Sequence, residues 1–269
     1  MHRVVLLLAV LLAFASPAAA HTDLERHFRE AGTTGTMVVE RSGPQPRTWI
    51  VGGARSAQRF IPSSTFKIPN ALLAVDLRVA SGADQPYPGP NPNFEVDGAP
   101  FLPAACEGDL TLATALMNSC IPIFQRIARR IGLPAYRRAV DRFHYGNEDL
   151  RGAVEDRFWL DGPLAISARE QVRFLQRLQR ESLPVSRHAL RDVREMLVLQ
   201  RDRCATLRGK TGYVFTTAPR VGWWVGWVER GPRTWTFALN LDITRPDHAA
   251  ARVTIGKAIL HELGAKTTC

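Results

Sequence analysis

"RVGWWVGWVERGPRTWTFALNLDI", residues 220–243, decides the fold. Two runs rich in Val, Trp, Thr and Phe flank Gly231-Pro232. β-Branched and aromatic side chains suit a pleated, buried surface, and Gly beside Pro marks a turn. The stretch therefore reads as two antiparallel strands joined by a short turn. Beyond it, "DHAAARVTIGKAILHELG" (247–264) has helical spacing, with Asp247 as cap and Gly264 as stop. At the other end of the chain, "TDLERHFREAG" (22–32) reads as a short helix with a capping box from Thr22 and Glu25. "GTMVVER" (35–41) and "RTWIVGG" (47–53) follow as strands around the turn-rich "SGPQP".

The middle of the chain changes period. Residues 65–80, 109–117, 121–131, 134–142, 167–180 and 187–199 carry helical spacing. The longest loop between them runs from Gly82 to Gly108. The expected fold class is α/β of the α+β kind. An antiparallel sheet from both chain ends is flanked by the terminal helices, with a mostly helical subdomain inserted. Strands that pair antiparallel and do not alternate with helices exclude a doubly wound fold. Residues 21–269 are expected to form one domain, with the sheet part at about 21–60 and 205–269 and the helical part at about 61–204.

Arg3, the apolar run Val4 to Phe14, and Ala18-Ala19-Ala20 before His21 have the order of a secretory signal peptide over residues 1–20. The run is shorter than the ~20 residues a membrane span needs. The expected location is periplasmic or secreted. Net charge is +10, from 35 Lys and Arg against 25 Asp and Glu. No basic stripe interleaved with aromatics appears, so the charge reads as a solvated surface and not as a nucleic-acid site. Cys106, Cys120, Cys204 and Cys269 all follow the leader, in a compartment that permits disulfides. Three pairings are open, of which Cys106–Cys120 is the most local. With no C-x-x-C and no H-E-x-x-H, no metal is expected.

Only four lysines occur: Lys67, Lys210, Lys257 and Lys266. Lys67 follows Ser64 by three residues at a helix start, so amine and hydroxyl share a face. The free N–H groups and positive dipole of that helix end favour an oxyanion beside Ser64. Lys210 lies in "RGKTGYVF" (208–215), just before the C-terminal strands, in the context of a sheet-edge strand. S-x-x-K followed by K-T-G is a motif pair of penicillin-binding proteins and β-lactamases. "MNSCIPIF" (117–124), "FHYGNEDL" (143–150) and "DRFWLDGPLAIS" (156–167) lie between them.

With "FIPSSTFKIPN", these motifs resemble the class D, oxacillinase-type, serine β-lactamases over nearly the whole mature chain. The resemblance implies hydrolysis of β-lactam antibiotics through an acyl-enzyme on Ser64. It implies that Lys67 is the base, carboxylated on its amine by CO2, and that Ser119 relays protons. Trp159 would hold the carbamate. Lys210, Thr211 and Gly212 would meet the substrate carboxylate side, paired by Arg252. The backbone N–H groups of Ser64 and Tyr213 would form the oxyanion hole. Ile121 would stand beside the carbamate, where the family has valine, and Cys106 takes a place where many relatives carry tryptophan. No dissociable cofactor is implied, CO2 or bicarbonate entering only through Lys67. The partners implied are small β-lactams, with no nucleic acid and no stable membrane insertion. A β-lactam sensor that acylates without turnover and a small D,D-peptidase are the alternatives.

Elementary chemistry supports the lysine assignment. A free lysine, with pKa ~10.4, is neutral about once in a thousand at pH 7. Burial lowers that pKa by roughly 3–5 units. Ile68, Leu72, Ile121, Phe124, Phe158, Trp159 and Leu160 are candidates for such a pocket. Tyr145 and Asn147 are expected to brace a loop, and Trp223, Trp224 and Trp227 to pack the sheet.

Overall fold

The structure, a computed structural model, describes residues 23–96 and 98–269. The expected leader, residues 1–20, and Thr22 of the expected capping box lie outside the described residues. Helix α1 (Arg26–Glu30) leads into strands β1 (Gly35–Ser42) and β2 (Arg47–Val51). After β3 (Arg59–Phe60) a 3-10 turn, Ser63–Phe66, runs into helix α2 (Lys67–Asp76). The expected long loop holds structure of its own: β4 (Pro86–Tyr87), the hairpin of β5 (Phe94–Val96) and β6 (Ala99–Phe101), and a 3-10 turn, Ala104–Cys106. β7 (Leu110–Thr111) pairs with β4, so α3 (Leu112–Met117) starts later than the helical spacing from 109 predicts. Thr111 and Thr114 cap it reciprocally.

Helices α4 (Ile121–Ile131) and α5 (Leu133–Phe143) follow, then β8 (Ile166–Ser167), α6 (Ala168–Gln179) and α7 (Arg187–Met196). The remaining elements are β9 (Val198–Arg201), β10 (Thr206–Val214), β11 (Arg220–Arg230), β12 (Arg233–Ile243) and α8 (His248–Glu262). Helical spacing carried past Met196 into Leu199, but those residues form β9, because β10 offers them a ladder. Asp247 occupies the cap position of α8 without bonding its N–H groups; its carboxylate is held by Arg245 instead.

Six strands form one sheet in the order β2-β1-β12-β11-β10-β9. The strands of residues 220–243 pair antiparallel, from Arg220 opposite Ile243 to Arg230 opposite Arg233. Alternation along each strand sends successive side chains to opposite faces, and both faces are covered. Met37, Val39, Trp224, Phe237 and Leu239 pack with Ile255 and Ile259 of α8. Val38, Trp223, Val225, Trp227 and Ala238 join the core of the helical region. The three tryptophans are fully buried, as sheet packing predicts. Gly256 lets α8 lie on Trp224: a Cβ there would stand 2.3 Å from the ring.

Helix α2 is the axis of the helical region. Every residue from Lys67 to Val75 is buried. Pro69 is its third residue, just after the 3-10 turn Ser63–Phe66 runs into the α-helix. Both disulfides are formed, Cys106–Cys120 and Cys204–Cys269. Among the described residues, no helix is long and apolar enough to cross a membrane. The one cluster of metal-ligating types there is Asp202, Cys204 and Cys269, and both of its sulfurs are tied in a disulfide.

Candidate active site

Ser64 lies in the 3-10 turn that precedes α2, and its neighbour across one turn is Lys67. Lys67 Nζ donates to Ser64 Oγ at 2.9 Å. Ser64 is 8% exposed and Lys67 wholly buried. The amine sits 5.6 Å from the centre of the Phe124 ring. Among the described residues no carboxylate pairs with it. Burial, with a smaller contribution from the charge of Lys210, pushes the Lys67 pKa well below its usual value.

Four hydrogen bonds hold the turn, one of them to β10, one to β11, one to α6 and one within the turn. Ser63 has φ +49°, a left-handed conformation that costs a residue with a Cβ about 1–2 kcal/mol. Its Oγ donates to the Tyr213 carbonyl at 2.6 Å, which locks it. Trp223 Nε1 donates to the Ile61 carbonyl at 3.0 Å. Thr65 Oγ1 donates to the Pro62 carbonyl and accepts from Gln171 Nε2 at 2.8 Å. Gly212 permits the approach, since a Cβ there would meet Pro62 O, Thr65 Cγ2 and Trp223 Cβ at 3.2 Å each.

The position of β10 in the sheet differs from the expected edge. β9 pairs with Thr206, Leu207 and Arg208 and leaves after a register shift. Lys210, Thr211 and Gly212 are thereby open on that side. N–H and C=O of one strand residue point to the same side. Since the Tyr213 carbonyl meets Ser63, the Tyr213 N–H faces the Ser64 turn as well. The Ser64 N–H belongs to a first turn, where helical geometry supplies no acceptor. Two donors thus converge where an oxyanion would form. Arg208 anchors the strand from beneath, paired with Glu195 and Glu229.

Lys210 Nζ donates to Ser119 Oγ and to its neighbour's Thr211 carbonyl. Burial and the nearby Arg252 charge lower the Lys210 pKa to about 7. Ser119 stands between α3 and α4 with φ +58°. Arg252 projects from α8; its Nε and one terminal nitrogen are buried without an acceptor. Lys210 and the half-buried Arg252 therefore stand as neighbouring cations in front of the buried Lys67 amine, and among the described residues no carboxylate pairs with any of the three. Such a cluster is costly unless an anion completes it.

A cleft of about 360 Å³ opens above these groups. Ser64, Ser119, Ile121 and Tyr213 line it, as do Ser63, Asn118 and Arg220. Of the expected site residues, Lys67, Trp159, Lys210, Thr211, Gly212 and Arg252 are not in its lining; Lys210 and Thr211 instead line a separate cavity of about 50 Å³ with Gly209. Trp159 is fully buried, stacked on Phe66 at 6.0 Å and edge-on to Phe158 at 4.9 Å. Its indole N–H has no hydrogen-bond partner. Tyr145 packs edge-on to Phe66 at 5.2 Å, and Asn147 bridges the Pro163 carbonyl and the Ala165 N–H. Both brace the loop, as expected.

Sequence reading missed Ser63, Arg220 and the apolar rim of Phe94, Val96, Phe101, Pro103 and Phe215. One signal was available. "FEVDGAPF" (94–101) holds Asp-Gly between short apolar runs, a hairpin pattern inside the supposed loop.

The profile of the penicillin-binding protein transpeptidase domain matches residues 36–261. The β-lactamase OXA-48 of Klebsiella pneumoniae is 38% identical over 236 residues, 88% of this chain and 86% of that protein. OXA-5 of Pseudomonas aeruginosa is 35% identical over 263 residues, 95% of each chain. The crystal structure of a class D β-lactamase from Nostoc, YbXI, superposes with a TM-score of 0.82 at 33% identity, covering 90% of this chain and 98% of that one. The profile match over most of the chain and these relatives show that the chain belongs to the penicillin-binding transpeptidase family, on its class D β-lactamase branch.

Proposed function

We propose that this protein hydrolyses β-lactam antibiotics through an acyl-enzyme on Ser64. The observation that carries the reading is the Lys67 amine, buried without a counter-ion 2.9 Å from Ser64 Oγ. An amine kept neutral by its surroundings has a lone pair to accept the hydroxyl proton. Ser64 Oγ attacks the lactam carbonyl, and the Ser64 and Tyr213 N–H groups stabilise the oxyanion. The C–N bond then breaks, and Ser119, hydrogen-bonded to Lys210, delivers a proton to the departing nitrogen. Thr211, Gly212 and Arg252 complete the seat for the substrate carboxylate, whose charge the cationic cluster lacks.

Carboxylation of the Lys67 amine by CO2 supplies an anionic base with two acceptor oxygens, suited to activating the deacylating water. The site fits such a group: burial holds the amine's pKa well below its usual value, the Phe124 ring stands 5.6 Å from it, and the unpartnered Trp159 N–H is a donor without an acceptor. Ile121, 6% exposed, lies at the cleft wall on this side. Residues 1–20 serve as a cleaved leader, and residues 21–269 act as one domain in the periplasm or outside the cell.

The test is a penicillin hydrolysis assay with intact-protein mass spectrometry, run with and without bicarbonate. Transient acylation with product release is expected, stimulated by bicarbonate, and lost in Lys67→Ala at unchanged far-UV circular dichroism. A permanent adduct would identify a sensor. Release of D-alanine from a D-Ala-D-Ala peptide without penicillin turnover would identify a peptidase.

A further inference from the structure

Cys120 immediately follows Ser119, and Cys106 closes the 3-10 turn that begins at the cleft rim. We propose that the Cys106–Cys120 disulfide is a positioning device for Ser119, tying the proton-relay serine to the rim of the substrate cleft. The proposal rests on the reading of Ser119 above and extends it to two residues that touch no substrate.

Three features support it. Ser119 is held in a left-handed conformation, φ +58°, that its own side chain does not favour. Its backbone is supported from both flanking helices: the Ser119 N–H donates to the Leu116 carbonyl at 3.2 Å and the Cys120 N–H to that of Ala115 at 2.9 Å, while the Cys120 carbonyl accepts from the Phe124 N–H of α4 at 3.4 Å. Two further ties reach across to the other segment. The Cys106–Cys120 bond is one. The Asn118 side chain, donating to the Ala105 carbonyl at 3.1 Å, is the second.

The far segment is itself anchored. Asn91 donates to the carbonyls of Cys106 and Gly108 at 2.8 and 3.2 Å, and the Cys106 N–H donates to Pro103 at 2.7 Å. Pro103 lines the cleft, as do Phe94 and Phe101 of the hairpin before it, whose rings meet edge-on at 5.5 Å. Both cysteines are fully buried. The bond therefore couples two sides of the cleft: the Ser119 hydroxyl that meets Lys210, and the aromatic rim that covers an incoming ligand. Untied, the 118–120 segment can relax toward ordinary dihedrals and carry Ser119 Oγ away from Lys210.

The experiment compares two double variants of the mature protein, Cys106→Ala/Cys120→Ala and Cys204→Ser/Cys269→Ser. The second removes the disulfide that ties the chain end to the turn before β10, away from the cleft. Steady-state hydrolysis of benzylpenicillin is measured at a temperature well below both melting points. Loss of the first bond is expected to lower kcat by about ten- to a hundredfold, the penalty of misplacing one catalytic group by ~1 Å, with a smaller change in KM. Loss of the second is expected to lower the melting temperature while keeping kcat within twofold.

Should the first variant not fold, Asn118→Ala removes the other tie at an exposed side chain and is expected to cost kcat several-fold at a nearly unchanged melting temperature. A kcat within twofold of the parent in the folded first variant, or in Asn118→Ala, overturns the proposal. If the parent itself hydrolyses no β-lactam, the reaction is wrong, and the positioning is still tested by the rate at which a fluorescent penicillin acylates Ser64. Equal acylation rates in the parent and the first variant count against it, and slower acylation in the variant supports it.

Discussion

Replacing Trp159 by phenylalanine separates packing from chemistry. The variant keeps an aromatic ring beside Phe66 and edge-on to Phe158, and it removes the indole N–H together with the volume of one fused ring. Without CO2 that N–H is buried and unpartnered. Deleting an unsatisfied donor relieves about 1–3 kcal/mol, and the lost ring volume costs a similar amount. The bicarbonate-free variant should therefore melt close to the parent. With a carbamate on Lys67 the same N–H bonds an anion, a contact worth about 1.5–3 kcal/mol. At 1.4 kcal/mol per factor of ten, its loss raises the bicarbonate concentration for half-maximal activity by about ten- to a hundredfold. The assay is penicillin hydrolysis by decarboxylated enzyme titrated with bicarbonate, alongside melting curves at each concentration. A midpoint within twofold of the parent, or a melting temperature depressed equally at every bicarbonate concentration, would refute the role given to Trp159.

Two other outcomes follow from the same geometry. Lys210 titrates near 7 in the folded protein against an ordinary value of 10.5, so the unfolded chain binds more protons between those values. Its burial penalty is then full below pH 7 and vanishes above pH 10.5, so stability rises with pH across that window. Lys210→Met should gain most in melting temperature, relative to the parent, at pH 6, and the gain should shrink toward pH 10; a difference constant with pH would contradict the shift. Gly212→Ala places a methyl 3.2 Å from Pro62 O, Thr65 Cγ2 and Trp223 Cβ, pushing β10 off the Ser64 turn. It should lose about 1–3 kcal/mol of stability and about tenfold or more in acylation rate, and wild-type acylation kinetics would show that the approach is not needed.

The sheet and the helical insert were legible because their residues repeat a pattern over many positions. The near-continuous apolar and aromatic runs of residues 220–243, buried on both faces, and the long apolar face of α4 leave little freedom of reading. Ser64, Lys67, Ser119 and Lys210 were legible because lysine is so scarce here that two of four in paired motifs stand out. What stayed hidden depends on pairings and contacts that leave no period in the sequence. β9 reads as a helix end until β10 lies beside it. The three-residue strands β5 and β6 are too short to show a period, and their partner is each other. Ser63 carries no signal of its left-handed backbone, because the bond that holds it comes from Tyr213. The disulfide was one of three arithmetic possibilities until the fold set Cys106 beside Cys120.

The ladder that joins Gly35 to Leu241 sets an order of assembly. A ribosome releases Ser64 long before Lys210, and the hairpin that receives β1 emerges almost last. Long-range closure of this kind is slow. A growing polypeptide thus carries its nucleophile without the anion seat or the oxyanion donors, and stays inert toward drug until translation ends.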